Sequence, residues 1–393
     1  MSARARIGLV GLSGYAAELC GLLLAGGEHE EGRIELAACF AIDADDHPER
    51  FAEFGRRGVR CHRSFEDLIG DESLDAVWLP VPIHLHRSLG TGVLRAGRAL
   101  ILEKPVAGSV ADHLAIAQAS GEAGRPVCIG FQDVYSPTTA RLKEQLLSGA
   151  LGAPTAASVS GAWPRAANYF TRNAAAGWLE VDGVPVRDSP LANAMAHFVN
   201  LALFLLGVEP NSAAMPVAVS AQCARAHDIE SFDTCSIRAT LEQPALDLVV
   251  NLSHATSEPI EPTVEIDTDR GSLRWCYGGG STFREHNSGR VETLTAPTPP
   301  RPHMVRTIGE LLLGREPSLH FADLGNALPH TTLVEMVHQS GGITTIAGER
   351  IEQPDRRVTE PLNVPGLRDA ISKAAEARTT LADAGFDLAA LGA

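Results

Sequence analysis

Glu103 and Lys104 stand side by side at the end of an apolar run, Leu100-Ile101-Leu102, and Pro105 follows them. A strand of uncharged residues carries both charges to its carboxyl end, and proline fixes the turn that begins there. A lysine so placed supplies a cation where negative charge develops on oxygen. The apolar run before it, Ala76–Val81, passes into Pro82-Ile83-His84-Leu85-His86. A third such junction lies near the N-terminus, in Ile7-Gly8-Leu9-Val10-Gly11-Leu12-Ser13-Gly14-Tyr15-Ala16. Glycines between a first strand and a first helix permit a tight turn. They also let main-chain N–H groups, with the positive end of the helix, approach a pyrophosphate. The loop departs from G-x-G-x-x-G: Gly11, Ser13 and Ala16 occupy its three positions, with Gly14 added.

Asp43 follows the second apolar run. An acidic group there hydrogen-bonds an adenosine ribose and repels a 2′-phosphate, so the dinucleotide expected is NAD, not NADP. Asp43 lies 29 residues after Gly14, beyond the usual spacing of about 20. The Glu-containing stretch Gly26–Gly32 accounts for the extra length. The expected cofactor-binding set is Gly11, Ser13, Gly14, Tyr15, Ala16, Asp43, Pro80, Val81, Pro82, His84, His86, Glu103 and Lys104.

The elements needed to position these groups can be read from periodicity. Apolar runs at Ala5–Val10, Ile34–Ile42, Ala76–Val81, Ala99–Leu102 and Val127–Phe131 alternate with helical segments at Tyr15–Leu24, Pro48–Phe54, Leu85–Leu94 and Val110–Ala123. Near-continuous apolar strands suit a parallel sheet covered on both faces, and intervening helices provide the crossovers. The fold class expected is α/β, an N-terminal Rossmann doubly wound sheet over 1–131. Beyond it the pattern changes to a helix at Ser136–Leu147, an irregular aromatic stretch from Trp163 to Trp178, a long apolar helix at Leu191–Leu206, and strands joined by short turns from Ala156 to Cys276. That predicts an α+β domain over 132–393 with a large, mostly antiparallel open sheet and a C-terminal helical tail. Its aromatic stretch holds Trp163, Arg165, Asn168, Tyr169, Arg172, Asn173 and Trp178. Aromatic faces stack on sugar rings while Arg and Asn bond hydroxyls, so a sugar-like substrate fits these side chains.

The bulk composition excludes other classes. Net charge is −15, which leaves no basic surface for nucleic acid. No apolar run reaches the roughly 18 residues of a membrane span. Seven scattered cysteines without a C-x-x-C pair predict reduced thiols in a cytoplasmic protein, and the histidines show no metal spacing.

The segments Val81-Pro82-Ile83-His84-Leu85-His86 and Gly97-Arg98-Ala99-Leu100-Ile101-Leu102-Glu103-Lys104-Pro105 resemble the Gfo/Idh/MocA oxidoreductases, typified by glucose-fructose oxidoreductase and inositol dehydrogenase. Pro82, His86, Glu103, Lys104 and Pro105 match the family's strand ends; Ile83 stands where Asn is usual. Family members often carry an Asp and a His four residues apart at a helix start. Here His197 matches and Asn193 replaces the Asp. The resemblance implies Lys104, His197 and Asn193 as catalytic groups. Lys104, Arg165, Tyr169, Arg172, Asn173, Trp178, Asn193 and His197 would bind substrate. The implied reaction is NAD-dependent hydride transfer from a carbinol of a sugar, polyol or sugar derivative, in a homo-oligomer (dimer or tetramer) built through the C-terminal sheet. The resemblance leaves two alternatives, both favoured by the amide at Asn193: an NAD-dependent, redox-assisted glycoside hydrolase or lyase acting through a 3-keto intermediate, and a non-catalytic dinucleotide-sensing regulator, against which Lys104 and His197 argue.

Overall fold

The computed structural model describes residues 4–28, 33–42, 48–352 and 359–392. The first elements are β1 (Ala5–Val10), α1 (Gly14–Glu28), β2 (Ile34–Phe40), α2 (Pro48–Arg56), β3 (Arg60–Cys61), α3 (Phe65–Ile69), β4 (Ala76–Leu79), α4 (His86–Arg95), β5 (Ala99–Leu102), α5 (Val110–Ala123) and β6 (Val127–Ile129). The six strands form one parallel sheet in the order β3-β2-β1-β4-β5-β6. Strand order reverses beside β1, and such a switch point opens a ligand crevice at the carboxyl ends of the strands. Val77, Trp78, Leu79, Leu100, Ile101 and Leu102 are wholly buried, which is why these strands read as unbroken apolar runs.

Next come α6 (Pro137–Leu147), β7 (Pro154–Ala162), β8 (Glu180–Val181), β9 (Val184–Pro185), α7 (Ala196–Leu206), β10 (Pro216–Arg225), β11 (Thr234–Leu241), β12 (Asp247–Ser253), β13 (Ile260–Thr268), β14 (Gly271–Cys276), β15 (Gly280–Glu285) and β16 (Val291–Thr295). The last elements are α8 (Pro300–Leu312), α9 (Leu324–Gln339), β17 (Ile343–Thr345) and α10 (Leu367–Ala377). A nine-stranded sheet runs β16-β15-β14-β13-β7-β12-β11-β10-β17. It is antiparallel except where β7 meets β12 and β10 meets β17. The two faces of this sheet differ. Ala157, Val159, Leu248, Val250 and Leu252 join α7 in a large apolar core. The opposite face carries small and polar side chains and is covered by the C-terminal tail. There Leu367, Ile371 and Ala374 of α10 pack with Ala162 and Ala255. Asn251 donates to the carbonyl of Thr379 and accepts from Ser236, which in turn accepts from the Leu381 N–H.

The chain divides into two compact units, and its path between them is not a single crossing. Residues up to 107, with 111–137 and 299–324, form the first; 108–110, 138–298 and 325–393 form the second. Within the first unit, α8 lies so close to the start of β2 that a Cβ on Gly309 would stand 2.3 Å from the Cβ of Arg33. The segment after α8 runs beside β6: the Ile129 N–H donates to Ala322 O, and the Tyr135 hydroxyl donates toward both Ile129 O and Ala322 O.

Helix α7 begins at Ala196, five residues later than the apolar run at Leu191 suggests. Residues 191–195 form turns instead, opened by Ser189 Oγ accepting the Ala192 N–H. The far end of α7 is held by Lys143 of α6, whose side chain is fully buried. Its ammonium donates to Phe204 O at 2.6 Å, Gly207 O at 2.5 Å and Ser212 O at 3.1 Å. These carbonyls are left over where the helix ends. Burial pulls the lysine down to about 7, while three carbonyl acceptors favour its charged form. Replacing Lys143 by Met leaves those carbonyls without their cation. The expected loss is about 1–3 kcal/mol of unfolding free energy, read from urea denaturation. An unchanged midpoint would show that the three bonds contribute nothing net.

Candidate functional site

In the first unit, the glycine loop leaves β1 with Gly11 at φ +98° and Gly14 at φ +54°, a region that side chains avoid. The Gly11 N–H is tied to Phe40 O at the end of β2, at 2.7 Å, and Arg50 of α2 donates to Leu12 O. Ser13 and Gly14 are exposed, so the main chain at the start of α1 is open to an approaching group. Helix N–H groups and small residues are what a pyrophosphate requires there, so the loop fits a dinucleotide despite Ser13. Tyr15 lies under the guanidinium of Arg301, 5.1 Å from ring centre to carbon. Arg301 also bonds Glu18 at 2.9 Å and Gln132 at 2.9 Å. Burial, aided by the charge of Glu103, pushes the Tyr15 phenol up. Asp43 lies outside the described residues.

The strand ends after β4 and β5 are joined by His86, which is 1 % exposed. Its Nε2 is 2.9 Å from Val81 O, and its Nδ1 is 3.0 Å from Pro105 O and 3.1 Å from Val106 O. Burial pulls its imidazole down, against the three carbonyl contacts. His86 thus positions main chain, whereas Pro82 is exposed and Val81, His84 and Lys104 are half-buried at the surface of the same edge. The Lys104–Pro105 peptide is cis. Glu103 turns inward instead. Its Oε1 accepts the indole N–H of Trp78 at 3.1 Å. A Cβ on Gly130 would fall 2.5 Å from its Oε2, so only glycine leaves room for this carboxyl.

The second unit gathers most of the expected substrate-binding groups. Arg165 and Arg172 both lie on the ring of Tyr169, at 4.5 and 3.8 Å. Arg172 donates to Tyr169 O at 2.7 Å and approaches Asp188 at 3.7 Å. Asn193 donates its amide to Asp188 at 2.7 Å. Asn193 therefore sits in the turns before α7, and only His197 is on the helix; the pair does not share a helical face as the four-residue spacing suggests. Asn173 folds back to accept the Ala175 N–H, a local turn bond. Trp178, half-exposed, lines a cavity of about 650 Å³ with Phe170, Arg225, His227 and Glu230. Sequence reading missed Asp188 and the buried His227–Asp233 pair, which bond at 2.7 Å. His227 Nε2 also lies 3.0 Å from Arg165 O, so that pair holds the arginine's main chain. The available signal for Asp188 was its place just before Ser189-Pro190, at the mouth of the turns.

Burial raises Glu103 from the ordinary carboxyl value of 4.5 to about 7, with Lys104 and the Trp78 bond opposing. The folded chain therefore holds this proton more tightly than the unfolded chain does. The contribution to stability is complete below pH 4.5 and is lost as pH rises through about 7. Glu103→Gln keeps an acceptor for Trp78 and cannot titrate. Unfolding free energy measured across that window should fall for the native chain relative to the variant; parallel curves would place Glu103 in a wetter, unshifted state.

Residues 5–131 match the model of an oxidoreductase family with an NAD-binding Rossmann fold, Gfo/Idh/MocA. Inositol 2-dehydrogenase 1 of Saccharopolyspora erythraea is 34% identical over 114 residues, which are 29% of this chain and 34% of that protein. The chain thus spans about a third of that relative's length. D-apiose dehydrogenase of Paraburkholderia graminis is 27% identical over 294 residues, 72% of each protein. Among solved structures, the WlbA dehydrogenase of Bordetella pertussis, in complex with NADH and UDP-GlcNAcA, aligns with a TM-score of 0.68 and 24% identity over 86% of this chain and 96% of that one. That likeness extends the shared fold through both units. The glycine loop at the end of β1 and the Glu103-Lys104-Pro105 turn at the end of β5 both lie within the residues that match the Gfo/Idh/MocA family model.

Proposed function

We propose that this protein is an NAD-dependent dehydrogenase acting on a secondary alcohol of a sugar, polyol or sugar derivative. The observation that carries the reading is Lys104, delivered by the buried strand β5 to the carboxyl edge of an NAD-binding Rossmann sheet. The relatives that bear names act on polyols and sugars, and the aromatic and guanidinium groups around Tyr169 suit the same chemistry.

Gly11, Ser13 and Gly14 would hold the pyrophosphate, and Asp43 would select NAD by bonding its ribose. When bound, the dinucleotide supplies a hydride acceptor. The chain's own groups handle the proton. Lys104, as a cation, stabilises the negative charge that grows on the substrate oxygen. His197 is the group best suited to take that oxygen's proton near neutral pH, because an imidazole titrates there. Asn193 bonds a substrate hydroxyl but cannot take its proton. Two charged carriers, Arg165 and Arg172, would orient further hydroxyls with Tyr169.

Stoichiometry tests the reading. Sugars, polyols and aryl glycosides are screened with NAD while NADH absorbance and aglycone release are followed together. One NADH per product is expected. Aglycone release with no accumulating NADH would replace the dehydrogenase by a redox-assisted glycosidase.

Lys104→Ala and His197→Ala should each lower turnover by about 10²–10⁴-fold. Dinucleotide affinity, followed by tryptophan fluorescence, should stay near native in His197→Ala. A near-native rate in either variant removes that residue from the chemistry. In the same titration NADH should bind more tightly than NADPH, and Asp43→Ala should narrow the difference; tighter NADPH binding would overturn the choice of NAD.

A further inference from the structure

Asp188 is 4 % exposed and accepts two N–H donors. Its Oδ2 takes the main-chain N–H of Gly177 at 2.7 Å and faces Arg172 at 3.7 Å; its Oδ1 takes the amide of Asn193 at 2.7 Å. Its own N–H is tied to Trp178 O at 3.0 Å. The carboxylate is therefore built into the turn at both its main chain and its side chain. A carboxylate accepts hydrogen bonds and does not donate them. The end of the Asn193 amide that meets it must then be the NH₂ group, whatever the rest of the site contains. The carbonyl oxygen Oδ1 of Asn193 is turned the other way.

We propose that Asp188 is a positioning residue that fixes the orientation of Asn193, so that Asn193 presents its carbonyl oxygen, as a hydrogen-bond acceptor, to a hydroxyl of the bound substrate. This rests on the dehydrogenase reading above. An amide is otherwise ambiguous, because its two ends differ by donor and acceptor and little else. A substrate hydroxyl that donates is thereby selected over a carbonyl or ether oxygen at the same place. The arrangement also explains how an amide serves where relatives often have a carboxylate: the negative charge stays in the site, one residue removed. Moving the charge to 193 without removing it from 188 would set two carboxylates at hydrogen-bond distance, and one would have to keep a proton.

The test uses Asp188→Asn, Asn193→Asp and the swap that combines them, each checked by thermal unfolding and by NADH affinity. Asp188→Asn keeps an acceptor for the Gly177 N–H, so the turn is retained while the acceptor-only rule is lost. It should raise the KM of the substrate found in the screen by roughly tenfold, the worth of one neutral hydrogen bond, with NADH affinity unchanged. Asn193→Asp alone should add a new acidic step to the pH profile of kcat/KM. The swap restores one carboxylate and one amide, and should abolish that step and recover most of the lost kcat/KM. Native KM and pH profile in Asp188→Asn, or a swap no better than the product of the two single losses, overturns the proposal. If no substrate yields NADH with the native chain, the dehydrogenase reading fails on its own. The pair is then judged by the double-mutant cycle on unfolding. Coupling between 188 and 193 that the swap restores sustains the orientation of Asn193, and strict additivity overturns it.

Discussion

Every strand of a parallel sheet ends with carbonyls that its neighbours no longer satisfy, and in the first unit one buried imidazole lies against three main-chain carbonyls at two such ends. His86 sits between the chain leaving β4 and the turn leaving β5, with Val81 O on one side and Pro105 O and Val106 O on the other. Buried main-chain acceptors are costly when left alone. His86 thus links the chain that leaves β4 to the turn that carries Lys104. Glu103 works from below. Its inward carboxyl needs the indole of Trp78 and the bare Cα of Gly130, and that demand directs the next side chain, Lys104, outward.

The second unit uses the same economy of polar groups under burial. Lys143 closes the end of α7 by gathering three carbonyls, and Asp188 closes its approach by gathering an amide and a main-chain N–H. His197 is carried between these two anchors, on the first turn of a helix whose remaining residues lie in the core. The aromatic stretch is braced likewise: two guanidinium groups lie against the ring of Tyr169, and the main chain of Arg165 is met by the His227–Asp233 pair.

Burial on both faces made β1, β4 and β5 legible, since a strand without solvent contact is an unbroken apolar run. The loop and the Glu103-Lys104 turn were legible for the same reason, being the polar punctuation after such runs. Where structure depends on a partner distant in sequence, the signal fades. Helices α8 and α9 went unseen: α8 opens on Pro300-Arg301-Pro302, and α9 contains Pro329, so neither shows a clean apolar stripe. The late start of α7 was hidden because Leu191, Ala192 and Met195 are buried in turns and read like helix. Asp188 carries no periodicity at all; its bonds run to Gly177, eleven residues before it, and to Asn193, five residues after it.

Arg301 reaches back to Gln132, 169 residues earlier, and to Glu18, 283 residues earlier, while lying on Tyr15. The six strands of the first sheet are all synthesised by Ile129, yet the helix that packs on them and steadies the first turn of α1 is made long afterwards. At the usual pace of a ribosome that interval is on the order of ten seconds or more. During it the nascent sheet stands with the surface around Gly309's future seat uncovered. A recombinant fragment cut after the last strand would carry the same vacancy permanently, so grafting this nucleotide-binding half onto another protein requires two pieces of chain, not one.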